Sequence, residues 1–109
     1  MENRWSMRRL LTLDVRLFYR GWEFRGCKTR DIGLGGMFVE TGDVPLPKYA
    51  PVELVFARHG GRRLKARRTI KARVVRVADS GVGLMFRDFD VAAFRAIQDI
   101  LMRGPEAVH

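Results

Sequence analysis

The sequence predicts a mainly β protein, a small six-stranded antiparallel β-barrel followed by a C-terminal α-helix. Apolar and polar residues alternate with a period of two in several short segments up to residue 86, and turn residues separate these segments. The period then changes to that of a helix. At 109 residues the chain fits one domain. Antiparallel strands with short turns lose their exposed edges when they close into a barrel, and an amphipathic helix can cover one open side.

The first half of the chain predicts three strands. Alternating patterns on both sides of Gly21 predict a hairpin from Leu13 to Arg30. A short strand is predicted at residues 37–41. Residues 42–51 contain three prolines together with glycine and aspartate, so we expect a loop there, because proline cannot donate to a strand ladder.

The second half predicts the remaining strands. Residues 52–56 alternate, and RHGG at 58–61 predicts a turn. A long basic strand, or pair of strands, follows at 64–77. The parity of its apolar residues changes after Val74, which indicates either a bulge or burial on both faces. A turn at DSG then precedes a last strand at 82–86.

The C-terminal region predicts an amphipathic helix. Four apolar residues share one helical face: Val91, Phe94, Ile97 and Leu101. Asp88 or Asp90 can cap the start of the helix, and Gly104 with Pro105 can end it.

The charge of the chain favours an anionic partner. Lys and Arg number 21 against 12 Asp and Glu, which gives a formal net charge of +9. No apolar run approaches the roughly 20 residues that span a bilayer. The first residues also lack the apolar core of a signal peptide, so we expect a cytoplasmic location.

Residue types that carry catalysis or bind metals are sparse. The one cysteine, Cys27, occupies a strand-like position and is expected to be a small buried side chain. His59 lies in the predicted turn and His109 is the last residue, so neither belongs to a metal-binding or catalytic pattern. We therefore expect no enzyme, no metal and no cofactor.

The stretch DIGLGG places Asp31 before Gly33, Gly35 and Gly36. One interpretation is a tight turn between two strands, in which Asp31 caps its own backbone. The other is a binding site, because residues without a Cβ permit positive φ or let another molecule approach closely. Asp31 would then be an acceptor at the edge of the turn.

RWSMR at residues 4–8, followed by a strand pair and then DIGLGG, resembles the PilZ domain family, which has the signatures R-x-x-x-R and [DN]-x-S-x-x-G in that order. Arg4 and Arg8 match the arginine pair, Asp31 matches the acidic or amide position, and Gly36 matches the last glycine. The serine position is Gly33 here, which departs from the family pattern.

The resemblance covers about residues 4–103, because GVGLMF at 81–86 and the helix after it look like the closing elements of the family. It implies a six-stranded barrel with a helix, and binding of the bacterial second messenger cyclic di-GMP. The predicted strands and helix divide the chain into a flexible N-terminal arm at 1–11 with the arginine pair, a barrel with its helix at 12–104, and a tail at 105–109. Some family members lack the motifs and do not bind the nucleotide.

The chemistry of these residues suits that ligand. Arginine can pair with guanine O6 and N7, stack on a purine or bind a phosphate, and a carboxylate can accept from guanine N1 and N2. The missing serine hydroxyl removes a hydrogen bond worth about 0.5–1.5 kcal/mol, or up to about tenfold in affinity. The predicted ligand-binding residues are Arg4, Arg8, Arg9, Asp31, Gly33, Gly35 and Gly36.

We expect the chain to act as a signalling adaptor. The arm would fold over the bound nucleotide, and the new surface would bind or release a downstream protein. Two alternatives stay open. One is a PilZ-like interaction module that no longer binds nucleotide. The other is a nucleic-acid-binding barrel, since eight of the fifteen residues from 62 to 76 are basic; that stretch lacks aromatic stacking residues, and a solvated strand face explains it as well.

Overall fold

In the computed structural model, the described residues are 8–56 and 69–87, with Arg95, Ile97, Gln98, Leu101 and Met102. They form seven β-strands, at Arg8–Leu10 (β1), Asp14–Tyr19 (β2), Trp22–Gly33 (β3), Gly36–Glu40 (β4), Pro51–Phe56 (β5), Thr69–Val77 (β6) and Gly81–Phe86 (β7).

Six of these strands close into an antiparallel barrel. Neighbouring strands pair in the order β3, β2, β5, β6, β7, β4, and β4 pairs with β3 again, so the ring has no free edge. The predicted six-stranded barrel is therefore confirmed. The extra strand, β1, pairs with the end of β3, next to the part of β3 that pairs with β2.

Strand alternation builds the core of the barrel. Inward side chains from every barrel strand are buried, among them Leu17, Ile32, Val39, Leu54, Val74 and Leu84. The described residues of the predicted helix have helical backbone, and Ile97 is completely buried in the same core. Ile97 and Leu101, the two described residues of the predicted apolar face, thus pack against the barrel, whereas Val91 and Phe94 lie outside the described residues. Its predicted capping and stop residues, Asp88, Asp90, Gly104 and Pro105, lie outside the described residues.

The predicted hairpin between β2 and β3 is confirmed. It turns at Arg20 and Gly21, which both have left-handed backbone, with φ of 54° and 83°. Such a two-residue turn matches the twist of the flanking strands. The loop of residues 41–50 is also present, and Pro51 occupies the first position of β5, where a missing N–H is tolerated.

Three bulges interrupt the ladders. One lies between Val74 and Arg76, as the change of parity predicted. The alternative of burial on both faces is wrong, because Val75 and Val77 are 37% and 53% exposed. The other two were not predicted: one lies between Val15 and Leu17, where β2 pairs with β3, and one between Thr29 and Asp31, where β3 pairs with β4. Each bulge adds a residue that has no partner opposite and redirects the side chains beside it.

Two expectations about the ends of strands need correction. We began the first strand at Leu13, after an arm of residues 1–11, but Arg8–Leu10 already form β1. All three of its residues are exposed, so no alternation marks the strand. We also placed Asp31 at a turn. It lies inside β3, because the end of that strand pairs with β1 on one side and β4 on the other.

The predicted turn at 58–61 and the first part of the basic stretch lie outside the described residues. In the part of the chain that the structure describes, no helix is long and apolar enough to cross a membrane. Across the same residues, no group of three or more His, Cys, Asp or Glu side chains could hold a metal ion.

Candidate functional site

The pairing of β1 with β3 brings together residues from the two sequence motifs. Arg8 lies opposite Gly33, and Leu10 lies opposite Asp31. The Arg8 Nε donates to the Asp31 Oδ1 at 2.8 Å, across 23 residues of sequence. The structure thus joins the second motif arginine, the motif acid and the position of the missing serine. Arg4 lies outside the described residues.

The Arg8–Asp31 ion pair is open to solvent and therefore exchangeable. The side chains are 44% and 21% exposed. Ion pairs at such positions are worth about 0–1 kcal/mol, because water screens them and long side chains lose entropy. A ligand that offers a phosphate to the guanidinium and N–H donors to the carboxylate can replace this pair at little cost.

Arg9 makes a different contact. Its Nη1 donates to the main-chain oxygen of Leu101, in the C-terminal helix, at 2.5 Å. Successive residues of a strand point to opposite sides, so Arg8 and Arg9 leave β1 in opposite directions. The structure therefore does not bring Arg9 to Asp31. Instead, Arg9 links the strand that carries Arg8 to the helix.

The three motif glycines occupy different surroundings. Gly33 is buried at the end of β3, and Gly35 is exposed in the two-residue turn that leads into β4. A Cβ on Gly35 would meet nothing within 4 Å, so the surface there is open. A Cβ on Gly36 would overlap the main-chain oxygen of Leu84 in β7. Gly36 is thus needed for the contact between two strands, whereas Gly35 leaves room for a ligand.

Left-handed backbone is absent from Gly35 and Gly36. Among the described glycines it occurs at Gly21, Gly26 and Gly42. Of the two reasons offered for the glycine motif, positive φ is therefore wrong for this pair, and the close approach seen at Gly36 is that of β7 rather than of another molecule.

The surface beside Asp31 contains residues that the sequence analysis missed. Strand pairing places Phe38 opposite Asp31, Gly83 opposite Phe38, and Arg76 opposite Gly83. The Arg30 and Arg76 guanidinium carbons lie 4.1 and 5.8 Å from the centre of the Phe38 ring. The register of four strands brings these residues together. Their spacing in the sequence does not indicate that they lie close to one another.

A concave surface lies elsewhere on the barrel, on β2, β5 and β6. It is a groove of about 440 Å³ lined by Phe18, Arg20, Gly21, Pro51, Val52, Glu53, Lys71 and Arg87. Lys71 belongs to the basic stretch of the sequence, as do Arg73 and Arg76. If the chain were a nucleic-acid-binding barrel, this basic groove would be the surface that binds the nucleic acid.

Cys27 is buried, as predicted, at 2% exposure. Burial raises the pKa of its thiol, because the thiolate loses hydration. The thiol is therefore a structural side chain rather than a reactive one.

Comparison with known proteins agrees with this geometry. The PilZ domain family model matches residues 2–103. No curated protein matches the chain. Among solved structures, the PilZ domain of CeSA from a cellulose-synthesizing bacterium superposes with a TM-score of 0.70 at 17% identity, over 89% of this chain and 96% of that one.

Two further structures share the fold. The Bacillus subtilis inhibitor of motility, MotI/DgrA, has a TM-score of 0.71 at 19% identity, over 94% of this chain and 51% of that one. An uncharacterized protein of Legionella has a TM-score of 0.55 at 14% identity, over 94% of this chain and 97% of that one. The family model covers nearly the whole sequence, and the barrel matches the known architecture: the chain belongs to the PilZ domain family.

Proposed function

We propose that this PilZ domain binds cyclic di-GMP on the surface where Arg8 meets Asp31, and that it acts as a regulatory binding module rather than an enzyme. PilZ domains are known as receptor domains for this nucleotide, although some do not bind it. The observation that carries the proposal is the solvent-exposed ion pair between residues of the two family motifs. We expect the protein to work in the bacterial cytoplasm, where this messenger is made.

The ion pair suits exchange with the ligand. Arg8 supplies a planar fork for a phosphate or for guanine O6 and N7. Asp31 accepts from guanine N1 and N2. The two groups neutralise each other when no ligand is present, so each keeps a partner in both states. The open surface beside Gly35 lets the nucleotide lie close to the β3–β4 turn.

Strand β1 also sets the reach of the N-terminal arm. Arg4 precedes Arg8 by four residues, which an extended chain spans in about 13 Å. Because the pairing of β1 with β3 holds Arg8 in place, Arg4 can reach the same ligand. We infer that residues before β1 fold over the bound nucleotide, and that the resulting surface recruits a downstream protein. Equal hydrogen-exchange protection of the arm with and without ligand would show that this ordering step is wrong.

The test is titration of cyclic di-GMP by calorimetry, with GTP as the control ligand. Arg8→Ala and Asp31→Ala are each expected to weaken binding about ten- to 150-fold, the equivalent of a charged hydrogen bond of about 1.5–3 kcal/mol. The matched control is Arg25→Ala. Arg25 also lies on β3 and pairs with a carboxylate, that of Glu23, but it is six residues, or about 20 Å, from Asp31.

The outcomes separate the three functional hypotheses. Binding that Arg8→Ala weakens and Arg25→Ala does not supports the proposal. No heat with cyclic di-GMP at high concentration refutes it and favours an interaction module without nucleotide. Equal weakening by Arg8→Ala and Arg25→Ala, with no loss of affinity when Asp31 is replaced, would indicate binding through general charge, as expected for a nucleic-acid-binding surface.

A further inference from the structure

We propose that the guanidinium of Arg30 is a preformed platform on which one purine base of the ligand stacks. The inference rests on the proposed function and adds a residue outside both family signatures. It follows from the way Arg30 is held against Phe38, immediately beside Asp31. Such a platform places the purine base across β3 and β4.

A bulge directs Arg30 toward this position. In the pairing of β3 with β4, Thr29 lies opposite Val39 and Asp31 lies opposite Phe38, so Arg30 is the extra residue. Thr29 is buried inside the barrel, and Arg30 is exposed outside it. The bulge allows Asp31 to remain on the outer surface as well. Two successive residues, a guanidinium and a carboxylate, thus lie side by side on one face.

The inner face of the Arg30 guanidinium is covered. Its central carbon lies 4.1 Å from the centre of the Phe38 ring, within the range of a cation–π contact. Phe38 itself is only 5% exposed, although its side chain is on the outer surface of β4 between the inward residues Met37 and Val39. A base therefore cannot stack on Phe38 directly. It can stack on the guanidinium that covers the ring.

Two hydrogen bonds hold the edges of the Arg30 guanidinium. Nε donates to the Glu40 Oε2 at 3.3 Å, and Nη2 donates to the Ser80 Oγ at 3.2 Å. Hydrogen bonds of a guanidinium lie in its plane, so these contacts set its orientation and leave the outer face uncovered. The Arg30 side chain is 44% exposed. A flat cationic surface that is already oriented loses little entropy when a base stacks on it.

The surroundings favour an anionic nucleotide. Arg76 reaches the same Phe38 ring from β6, with its central carbon 5.8 Å from the ring centre. It crosses β7 at Gly83, where a Cβ would lie 3.3 Å from the Arg76 Cβ. Among the described residues, one carboxylate pairs with these two arginines, that of Glu40 with Arg30, so positive charge is in excess. Purine stacking on arginine planes is a common mode of base recognition, and phosphates of the same ligand would meet a positive surface.

The test compares Arg30→Lys with Arg25→Lys. Lysine keeps the charge of Arg30 but has no planar face, so a role in general electrostatics predicts unchanged affinity. The platform predicts about tenfold weaker binding of cyclic di-GMP by Arg30→Lys at constant salt. Arg25→Lys changes the same residue type on the same strand, in a carboxylate pair remote from Asp31, and is expected to stay within about twofold of the wild type.

A spectroscopic signal reports the stacking itself. In ¹H–¹⁵N spectra, the Arg30 Nε–Hε resonance, identified by its absence in Arg30→Lys, is expected to move upfield on binding because of the purine ring current. Ser80→Ala removes a contact that orients the platform and is expected to weaken binding about two- to threefold. Ser80→Ala therefore provides a second test of the platform if Arg30→Lys folds poorly.

The results distinguish this inference from the proposed function. If the wild type binds, Arg8→Ala weakens binding, and Arg30→Lys binds normally with no upfield shift in the wild type, the platform is refuted and the receptor function stands. If the wild type does not bind at all, both are refuted. Weak binding by Arg30→Lys together with the upfield shift establishes the platform.

Discussion

The last glycine of the motif is expected to serve the fold rather than the ligand. In Gly36→Ala, the new Cβ would overlap the main-chain oxygen of Leu84 and lie 3.3 Å from the Met85 Cα. Both obstacles are backbone atoms of β7, so no side-chain rotation can relieve the contact. Strands β4 and β7, which are paired neighbours in the closed barrel, must therefore move apart. Gly35→Ala is the matched comparison, because its Cβ would meet nothing within 4 Å.

The size of the effect follows from the contact. Overpacking of a tight site costs about 1–3 kcal/mol. Separation of the strands also threatens backbone hydrogen bonds such as that from Phe86 N to the Gly35 oxygen, at 2.9 Å, each worth about 1 kcal/mol. We therefore expect Gly36→Ala to lower the free energy of unfolding by about 2–4 kcal/mol, which corresponds to about 10–25 °C in Tm. Gly35→Ala is expected to change stability by less than about 1 kcal/mol.

Thermal and urea unfolding followed by circular dichroism measure both variants. The same samples are then titrated with cyclic di-GMP. If Gly35 leaves room for the ligand, Gly35→Ala binds more weakly although it folds normally. A Gly36→Ala protein that melts within about 2 °C of the wild type would refute the close approach of β4 to β7, and with it the structural role of this glycine.

Three further predictions concern single side chains. Gly33→Ser restores the family residue and is expected to tighten cyclic di-GMP binding by up to about tenfold in calorimetry; unchanged affinity would mean that the ligand does not use a hydroxyl there. The buried Cys27 thiol is expected to react with a thiol reagent at least about tenfold faster in denaturant than in the native protein, and equal rates would contradict its burial. The hydrogen bond from Arg16, at 2.6 Å, lowers the pKa of Glu23, so the stability it provides is present above about pH 5 and is lost as the pH falls through the lowered pKa. In urea titrations from pH 5 to pH 3, the wild type should lose more stability than Glu23→Gln, and parallel losses would contradict this coupling.

The repeating pattern of the sequence was sufficient to predict the barrel. Strands with one buried face must alternate, so the hairpin around Gly21 could be predicted, and the change of parity after Val74 left two possibilities, of which the structure has the bulge. The helix followed from a change of period, and Ile97 is buried as its helical face predicted. These features depend on residues that are close together in the sequence. Burial of one face of a strand or helix requires apolar residues at regular spacing, so the pattern can be seen in the sequence.

Features that depend on pairing between distant strands could not be predicted in the same way. Strand β1 has three exposed residues and is held by its hydrogen bonds to β3, so no burial pattern marks it. Asp31 was expected at a turn because glycines follow it, but pairing on both edges extends β3 past it. The contact of Arg30 with Phe38 needs both the unpredicted bulge after Thr29 and the register of β4.

We propose that cyclic di-GMP binds where Arg8 and Asp31 meet. The most direct test is a ¹H–¹⁵N spectrum of the protein during titration with this nucleotide. We expect the shifted amides to cluster on β1, at the end of β3 around Asp31, and in the turn at Gly35. Shifts confined to the groove around Lys71, or a spectrum that does not change at all, would show that the nucleotide does not bind where Arg8 and Asp31 meet.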